Sequence, residues 1–128
     1  MSARILKADA AAGVRLRALE DLKSLGGVPK VVAIHNPEHP AARYYLKAQR
    51  KTCLEAGVDY EVREIAPGTE PATVIRWIED LNRDPKVSGI TVHTPLPAGF
   101  DVDRIMGAVS PRKDIEGIHP ENLGRLAF

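Results

Sequence analysis

The spacing of apolar positions changes several times along the chain, and each change marks a predicted element. Four stretches have apolar residues at helical spacing: residues 10–27, 41–57, 70–85 and 101–109. Three shorter runs are β-branched or alternate between apolar and polar residues, as strands do: residues 30–35, 58–66 and 87–93. This order predicts an α/β fold, a three-layer αβα domain with a short, mainly parallel sheet. Residues 110–128 are predicted to be mostly loop.

The third predicted strand ends abruptly in the sequence VHTPLP, in which His93 and two prolines follow Val92. Ligands of open α/β sheets bind just beyond the carboxyl ends of the strands, so this segment is a candidate site. Both prolines lack an N–H and fix the backbone, which makes the segment a rigid, extended wall. A histidine at a strand end is often structural, with its ring bonded to a nearby carbonyl. The spacing alone leaves both roles open.

Composition and charge narrow the class of protein. With 128 residues, 44% of them hydrophobic, the chain is predicted to form one globular domain. Its net charge of +1 gives no reason to expect a nucleic acid or a membrane surface as a partner. The single cysteine, Cys53, excludes an internal disulfide. Because the sequence also has no secretory signal pattern, we expect a cytoplasmic protein.

Two kinds of site are not indicated by the sequence. No glycine-rich dinucleotide- or phosphate-binding motif follows a predicted strand. No metal site is expected either, because the histidines share no zinc-like spacing. They lie at His35, His39, His93 and His119.

Two further stretches carry candidate side chains. In the predicted helix 41–57, Tyr45 and Gln49 lie one turn apart on a face of small residues, which could equally be a closely packed face. The segment SPRKDIEGIHPENLGRL, residues 110–126, crowds charged side chains such as Glu116 between isoleucines. A binding loop that is held down has this character, although solvated loops can look the same.

These stretches together resemble two signatures of the bifunctional methylenetetrahydrofolate dehydrogenase/methenyltetrahydrofolate cyclohydrolase family. LNRDPKVSGITVHTPLP is similar to the pattern L-N-x-D-x-x-V-x-G-[IL]-x-V-Q-L-P-L-P. SPRKDIEGIHPENLGRL is similar to the pattern P-x-K-D-V-D-G-x-x-x-x-N-x-G-R-L. GGVPKVVAI and PAARYYLKAQRKTCLEAGV match an earlier part of the family, including the helix that carries the active-site tyrosine. The resemblance covers nearly the whole chain.

The resemblance implies that residues 1–128 form the folate-binding catalytic domain of a two-domain enzyme. A following Rossmann domain would bind NADP, or NAD in some members; it is absent from this chain, which we expect to be a truncated form of a longer protein. The implied substrate is a tetrahydrofolate derivative, and members of the family are usually homodimers. The implied substrate-binding residues are Tyr45, Gln49, Val92, His93, Pro95, Leu96 and Glu116.

Three positions depart from the family pattern around the implied pocket. Gln49 stands where the family has a lysine, the main acid/base group of the cyclohydrolase step, and glutamine cannot titrate. His93 replaces the glutamine that bonds this lysine in the family, and Glu116 replaces the aspartate that anchors the pterin. Because the unperturbed pKa of histidine is ~6.5, we hypothesise that His93 takes over proton transfer and that Gln49 orients it. The predicted catalytic residues are Tyr45, Gln49 and His93.

The expected activity is the NAD(P)-dependent oxidation of 5,10-methylenetetrahydrofolate to 5,10-methenyltetrahydrofolate. Hydride transfer depends mainly on positioning and on the cofactor, so we expect it to survive the loss of the lysine in the full-length protein, whereas the cyclohydrolase step is expected to be weak or absent. Residues 1–128 by themselves are expected neither to bind NADP nor to oxidise a substrate. Two alternatives stay open: a non-catalytic folate-binding module, and a related enzyme acting on a different one-carbon pterin.

Overall fold

The computed structural model describes residues 8–127, and its elements follow the predicted order with one addition. The helices are α1 (Ala8–Ser24), α2 (Pro40–Glu55), α3 (Pro71–Arg83), α4 (Val102–Ala108) and α5 (Pro120–Ala127). The strands are β1 (Lys30–His35), β2 (Asp59–Glu64) and β3 (Gly89–Val92). The prediction of mostly loop for residues 110–128 is therefore wrong for residues 120–127. Pro120 and Glu121 occupy the first turn of α5, where a proline and an acidic side chain both favour a helix start.

The strands form a parallel sheet in the order β2-β1-β3. Val31 of β1 pairs with Tyr60 of β2 on one side and with Gly89 of β3 on the other. The parallel arrangement confirms the predicted sheet, and it brings the carboxyl ends of all three strands to one edge.

One face of the sheet carries the larger part of the apolar core. Val32 and Ile34 of β1 point to this face together with Ile90 and Val92 of β3, which are their register partners. Helices α3 and α4 cover it with buried side chains: Val74, Ile78, Leu81 and Ile105. The apolar residues that recur at helical spacing in α3 form the stripe that packs on this face.

The opposite face is covered by α2 and is less apolar. Val31, Ala33 and Tyr60 form a small buried cluster there, against the partly buried Leu46 and Cys53 of α2. Towards the carboxyl ends of β1 and β3 this face continues into buried polar residues: His35, Thr91 and His93. With helices on both faces, the structure confirms the predicted three-layer αβα fold.

The segment after α4 is held against the free edge of β3. The Ile90 amide donates to the Lys113 carbonyl at 2.7 Å, and Ile90 forms a parallel bridge with Asp114. The Lys113 ammonium donates to the carbonyls of Leu81 and Asp84, both at 2.7 Å, which ties the segment to the end of α3. Within residues 8–127, no helix is both long and apolar enough to cross a membrane.

Candidate functional site

A cavity of about 290 Å³ opens at the carboxyl end of β3, between α2, α4 and the segment that follows α4. Four of the predicted site residues line it: Tyr45, Val92, His93 and Glu116. The remaining lining residues were not singled out in the sequence: Thr94, Met106 and Ile118. A phenol, an imidazole and a carboxylate thus converge on one small, partly apolar space, which is the usual character of a small-molecule site.

Tyr45 connects the two sides of this cavity. Its hydroxyl donates to Glu116 Oε1 at 3.2 Å, and its ring meets the His93 ring edge to face with 5.1 Å between centroids. Burial raises the pKa of Tyr45, and the nearby Glu116 carboxylate raises it further. Tyr45 is therefore a neutral hydrogen-bond donor at physiological pH.

Gln49 lies behind the cavity lining and not in it. Its Oε1 accepts a hydrogen bond from the Tyr60 hydroxyl at 2.5 Å and lies 2.9 Å from His93 Nε2. Because this oxygen can only accept, the contact favours the tautomer of the neutral imidazole that carries its hydrogen on Nε2. The predicted contact between Gln49 and His93 is present, whereas Tyr60 was missed. Its only signal in the sequence is a tyrosine at an inward-facing position of β2.

His93 is almost fully buried, with 3% of its surface exposed. Burial, reinforced by the neighbouring His35, lowers the pKa of His93 from 6.5 to about 4. The hypothesis that His93 performs proton transfer began from the unperturbed pKa; it stays a hypothesis, and the ring would have to act with a lowered pKa. At neutral pH the ring is uncharged and a weak base, because its charged form would lose its hydration.

Glu116 is presented by a loop that Asp114 organises. One carboxylate oxygen of Asp114 accepts from the amides of Glu116 and Gly117, at 3.3 and 3.0 Å. The other accepts from the His119 amide at 2.8 Å and from the Asn122 side chain at 2.9 Å. Burial on its own would raise the pKa of Asp114, but these hydrogen bonds lower it overall. The charge-rich sequence of this segment therefore reflects a held loop, as predicted.

Pro95 and Leu96, two predicted substrate-binding residues, are not part of the cavity lining. The Pro95 carbonyl accepts from the Asn36 side chain at 3.1 Å, and the Thr94–Pro95 peptide bond is cis. Leu96 packs against the core on the α3 side of the sheet. Their role in binding a substrate stays a prediction.

A second, larger cavity of about 540 Å³ lies among the loops that follow the strands. It is lined by Glu38 and by residues 65–71 and 97–100. It contains neither the tyrosine nor a histidine, so we assign the candidate chemistry to the smaller cavity. Over the described part of the chain, no three His, Cys, Asp or Glu side chains converge as a metal ion would require.

Comparison with known proteins decides the family of this fold and site. Residues 1–116 match the family described as "Tetrahydrofolate dehydrogenase/cyclohydrolase, catalytic domain". The chain belongs to this family. Relatives in the tetrahydrofolate dehydrogenase/cyclohydrolase family include the bifunctional protein FolD of Pelobacter propionicus, which is 35% identical over 122 residues. The FolD protein of Chlorobium phaeobacteroides is 42% identical over 105 residues. The family resemblance seen in the sequence is thereby confirmed.

Solved structures of the family have the same fold. FolD from Campylobacter jejuni superimposes with a TM-score of 0.82 at 30% identity, over 92% of this chain and 43% of that one. The NAD-dependent methylenetetrahydrofolate dehydrogenase of Saccharomyces cerevisiae gives a TM-score of 0.73 at 25% identity, over 91% of this chain and 38% of that one. The two FolD relatives are covered over 41% and 36% of their own lengths. This chain therefore spans about two-fifths of the proteins it matches.

Proposed function

We propose that this chain is the folate-binding catalytic domain of an NAD(P)-dependent methylenetetrahydrofolate dehydrogenase. The observation that carries the proposal is the convergence of Tyr45, His93 and Glu116 on one cavity at a strand end, in a chain of this family. A nucleotide-binding domain outside this chain would supply NADP or NAD. The longer protein would be a cytoplasmic homodimer.

Glu116 is the group best suited to hold the pterin. A carboxylate can accept two parallel hydrogen bonds from the amino and amide N–H groups at the edge of a pterin ring. In the present structure Glu116 accepts one hydrogen bond, from the Tyr45 hydroxyl. A bound pterin would replace this donor with two N–H donors of its own. The released Tyr45 hydroxyl would then face the substrate.

The charge of the cavity suits the oxidation. A bound NADP or NAD would accept hydride from the methylene carbon of 5,10-methylenetetrahydrofolate, and the folate product would carry a positive charge. With Gln49 in place of lysine and a neutral His93, the pocket holds no cation that would repel this product. The Glu116 carboxylate would stabilise it. This chain's own contribution is therefore to bind and orient the folate.

The cyclohydrolase step has less support from the same residues. Water that attacks the methenyl carbon must give up a proton, and Gln49 cannot accept one. His93 is a weak base because of its lowered pKa, and its Nε2 hydrogen is directed at Gln49. We therefore expect hydrolysis of methenyltetrahydrofolate to be slow.

Calorimetric titration of this chain with 5,10-methenyltetrahydrofolate tests the proposal. We expect saturable binding that weakens about 10- to 100-fold in Glu116→Ala, because a charged hydrogen bond contributes roughly 1.5–3 kcal/mol. Glu79→Ala, which removes an exposed carboxylate on α3, is the matched control and should bind as the unchanged chain does. Binding that Glu116→Ala leaves intact would place the folate elsewhere. No binding at millimolar ligand would favour a different one-carbon pterin.

A second measurement separates the enzyme from a non-catalytic module. The chain should be joined to the nucleotide-binding domain of a FolD relative and assayed for NADP reduction with 5,10-methylenetetrahydrofolate. Hydride transfer would support the dehydrogenase, whereas folate binding without transfer would favour the module.

A further inference from the structure

Three buried polar atoms belong to side chains on the same face of the sheet, the one that α2 covers. His35 Nδ1, Thr91 Oγ1 and His93 Nδ1 have no hydrogen-bond partner among the residues that the structure describes. Their side chains are 1%, 2% and 3% exposed. Thr91 is the register partner of Ala33, and the alternation of side chains puts His35 and His93 on the same face, one pair further along.

When the ring hydrogen of neutral His93 is on Nε2, the Nδ1 atom has a lone pair and can only accept a hydrogen bond. Gln49 Oε1 already accepts from Tyr60 and takes the Nε2 hydrogen of His93 as well. The lone pair of His93 Nδ1 is therefore buried and faces no donor in residues 8–127. A buried acceptor left in this way costs about 1–3 kcal/mol, and native proteins nearly always satisfy it with protein or water.

The second imidazole lies next to the first without bonding to it. The rings of His35 and His93 meet edge to face with 5.6 Å between centroids. Burial lowers the pKa of His35, with Glu64 of β2 raising it and Arg43 of α2 lowering it to lesser extents. Both rings are therefore neutral near pH 7, so each contributes one ring nitrogen that can accept.

One water molecule matches this set of groups. It can donate one hydrogen to His93 Nδ1, bond His35 Nδ1 in either tautomer of that ring, and accept from the Thr91 hydroxyl. Buried waters typically make about three hydrogen bonds, to polar groups that protein atoms leave unsatisfied. Direct bonding could satisfy all three atoms only through the Thr91 hydroxyl, with a hydrogen on His35 Nδ1, and the structure contains no such contact between these side chains.

We propose that His35 is a positioning residue for His93, and that one internal water molecule held by His35, Thr91 and His93 connects them. The water donates to His93 Nδ1, which keeps the single imidazole hydrogen on Nε2 and directs it at Gln49. His35 thus fixes the orientation and the tautomer of a cavity-lining ring without touching the ligand. Its effect on folate binding rests on the function proposed above, whereas its effect on His93 does not.

Long-range ¹H–¹⁵N correlation spectra of the histidine rings test the proposal in this chain without ligand. We expect the unchanged protein to show His93 as a single Nε2–H tautomer. His35→Leu removes one water ligand, and Thr91→Val removes another while keeping the side-chain shape. Each should convert His93 to a mixture in which the Nδ1–H form is detectable. His35→Gln, whose amide can still bond the water, should keep more of the single tautomer than His35→Leu does.

Two controls separate positioning from general damage. Val31→Ala opens space on the same strand and the same face without changing a polar group, and His39→Leu removes an exposed histidine. Both should leave the His93 spectrum unchanged. The Thr91→Val spectrum decides the matter if His35→Leu does not fold. A single Nε2–H tautomer that persists in both variants, or an Nδ1–H tautomer in the unchanged protein, would overturn the proposal.

Titration of the same variants with 5,10-methenyltetrahydrofolate links His35 to the site. We expect affinity to fall by up to about tenfold in His35→Leu, the size of one hydrogen bond. If the unchanged protein does not bind the folate, the proposed function fails while the spectra still decide the role of His35. If the folate binds but His93 stays a single Nε2–H tautomer in both His35→Leu and Thr91→Val, only the proposed role of His35 fails.

Discussion

Tyr60, Gln49 and His93 form one hydrogen-bonded unit at the position where the family signature has a lysine and a glutamine. The unit is neutral, because Gln49 does not titrate, burial raises the pKa of Tyr60 and burial lowers that of His93. The sequence was sufficient to pair Gln49 with His93, since both replace members of a known pair. It could not reveal Tyr60, because which inward-facing strand residue reaches a given helix residue depends on packing.

Restoring the family pair should restore hydrolysis. The double variant Gln49→Lys/His93→Gln places an ammonium group in the position of Gln49 and a neutral amide beside it. We expect hydrolysis of 5,10-methenyltetrahydrofolate, followed by its absorbance, to rise about 10²-fold, the lower end of general acid–base contributions. Arg50→Lys provides an ammonium one residue further along α2, on an exposed side chain, and should have no effect. An unchanged rate in the double variant would mean that more than the lysine is missing.

His93 should make the stability of the fold depend on pH. Its folded pKa of about 4 lies below the ordinary 6.5, so the unfolded chain binds the proton more readily. The stabilisation is complete above pH 6.5, is lost as the pH falls towards 4, and amounts to roughly 3 kcal/mol at 1.36 kcal/mol per pKa unit. Urea unfolding at several pH values should show this loss.

The variant His93→Gln isolates that contribution, because His35 also has a lowered pKa. The free energy of unfolding of His93→Gln should fall less between pH 7 and pH 4 than that of the unchanged chain. Parallel curves for the two proteins would show that His93 titrates normally in the folded state.

At the scale of elements, the loop that carries Glu116 is fixed by its contacts with β3. Ile115 lies over Gly89, where a Cβ atom would overlap its side chain. The glycine is therefore required by the close approach of the loop and not by an unusual backbone angle. Asp114 then folds the following residues by accepting their amides.

Gly89→Ala should displace the loop, because the new methyl group collides with the β-branched Ile115. We expect a loss of about 1–3 kcal/mol in unfolding free energy, typical of overpacking, and weaker folate binding. The double variant Gly89→Ala/Ile115→Ala removes the collision and should recover part of both. If the losses of unfolding free energy from the two single variants simply add in the double variant, the new methyl group is accommodated without a collision with Ile115.

Element boundaries were predicted where the sequence has strong local signals and missed where it has weak ones. The β-branched run of β1 and the apolar stripe of α3 identified these elements, because burial on a sheet demands such patterns. α5 was missed because it is short and lies in a charge-rich segment with two glycines; its helix signals are Pro120, Glu121 and the spacing of Leu123 and Leu126, and its described residues include no buried side chain. The bonds of Asp114 were missed because a charged loop residue has the same sequence signature whether it is solvated or bonded.

At the scale of the whole molecule, the two layers around the sheet differ in how much stability they contribute. The α3 side contains most of the fully buried aliphatic side chains, whereas the α2 side combines a small apolar cluster with polar residues. The fold therefore rests mainly on the face away from Gln49 and His35. The face that carries the candidate chemistry can accept polar groups at a lower cost to folding.

Truncation of one apolar side chain on each face should reveal this difference. Ile78→Ala removes a fully buried side chain from α3 and should cost about 2–5 kcal/mol, as large-to-small core changes do. Leu46→Ala on α2 removes a partly buried side chain and should cost about 1 kcal/mol, because less area leaves water on folding. If Ile78→Ala and Leu46→Ala lost the same unfolding free energy in denaturant, the two faces of the sheet would contribute equally to stability and this expectation would be wrong.

The bond between Ile90 and Lys113 also has a consequence for how the protein behaves in solution. A strand at the rim of a sheet offers free amides and carbonyls to other chains, and this is a common start of aggregation. β2 at one rim carries charged residues such as Glu61 and Arg63, while β3 at the other is covered by the segment that presents Glu116. The same segment thus presents Glu116 to the cavity and covers the edge of β3 that could otherwise pair with another chain. Changes that free it to alter specificity would also expose that edge, so solubility should limit how far this loop can be redesigned.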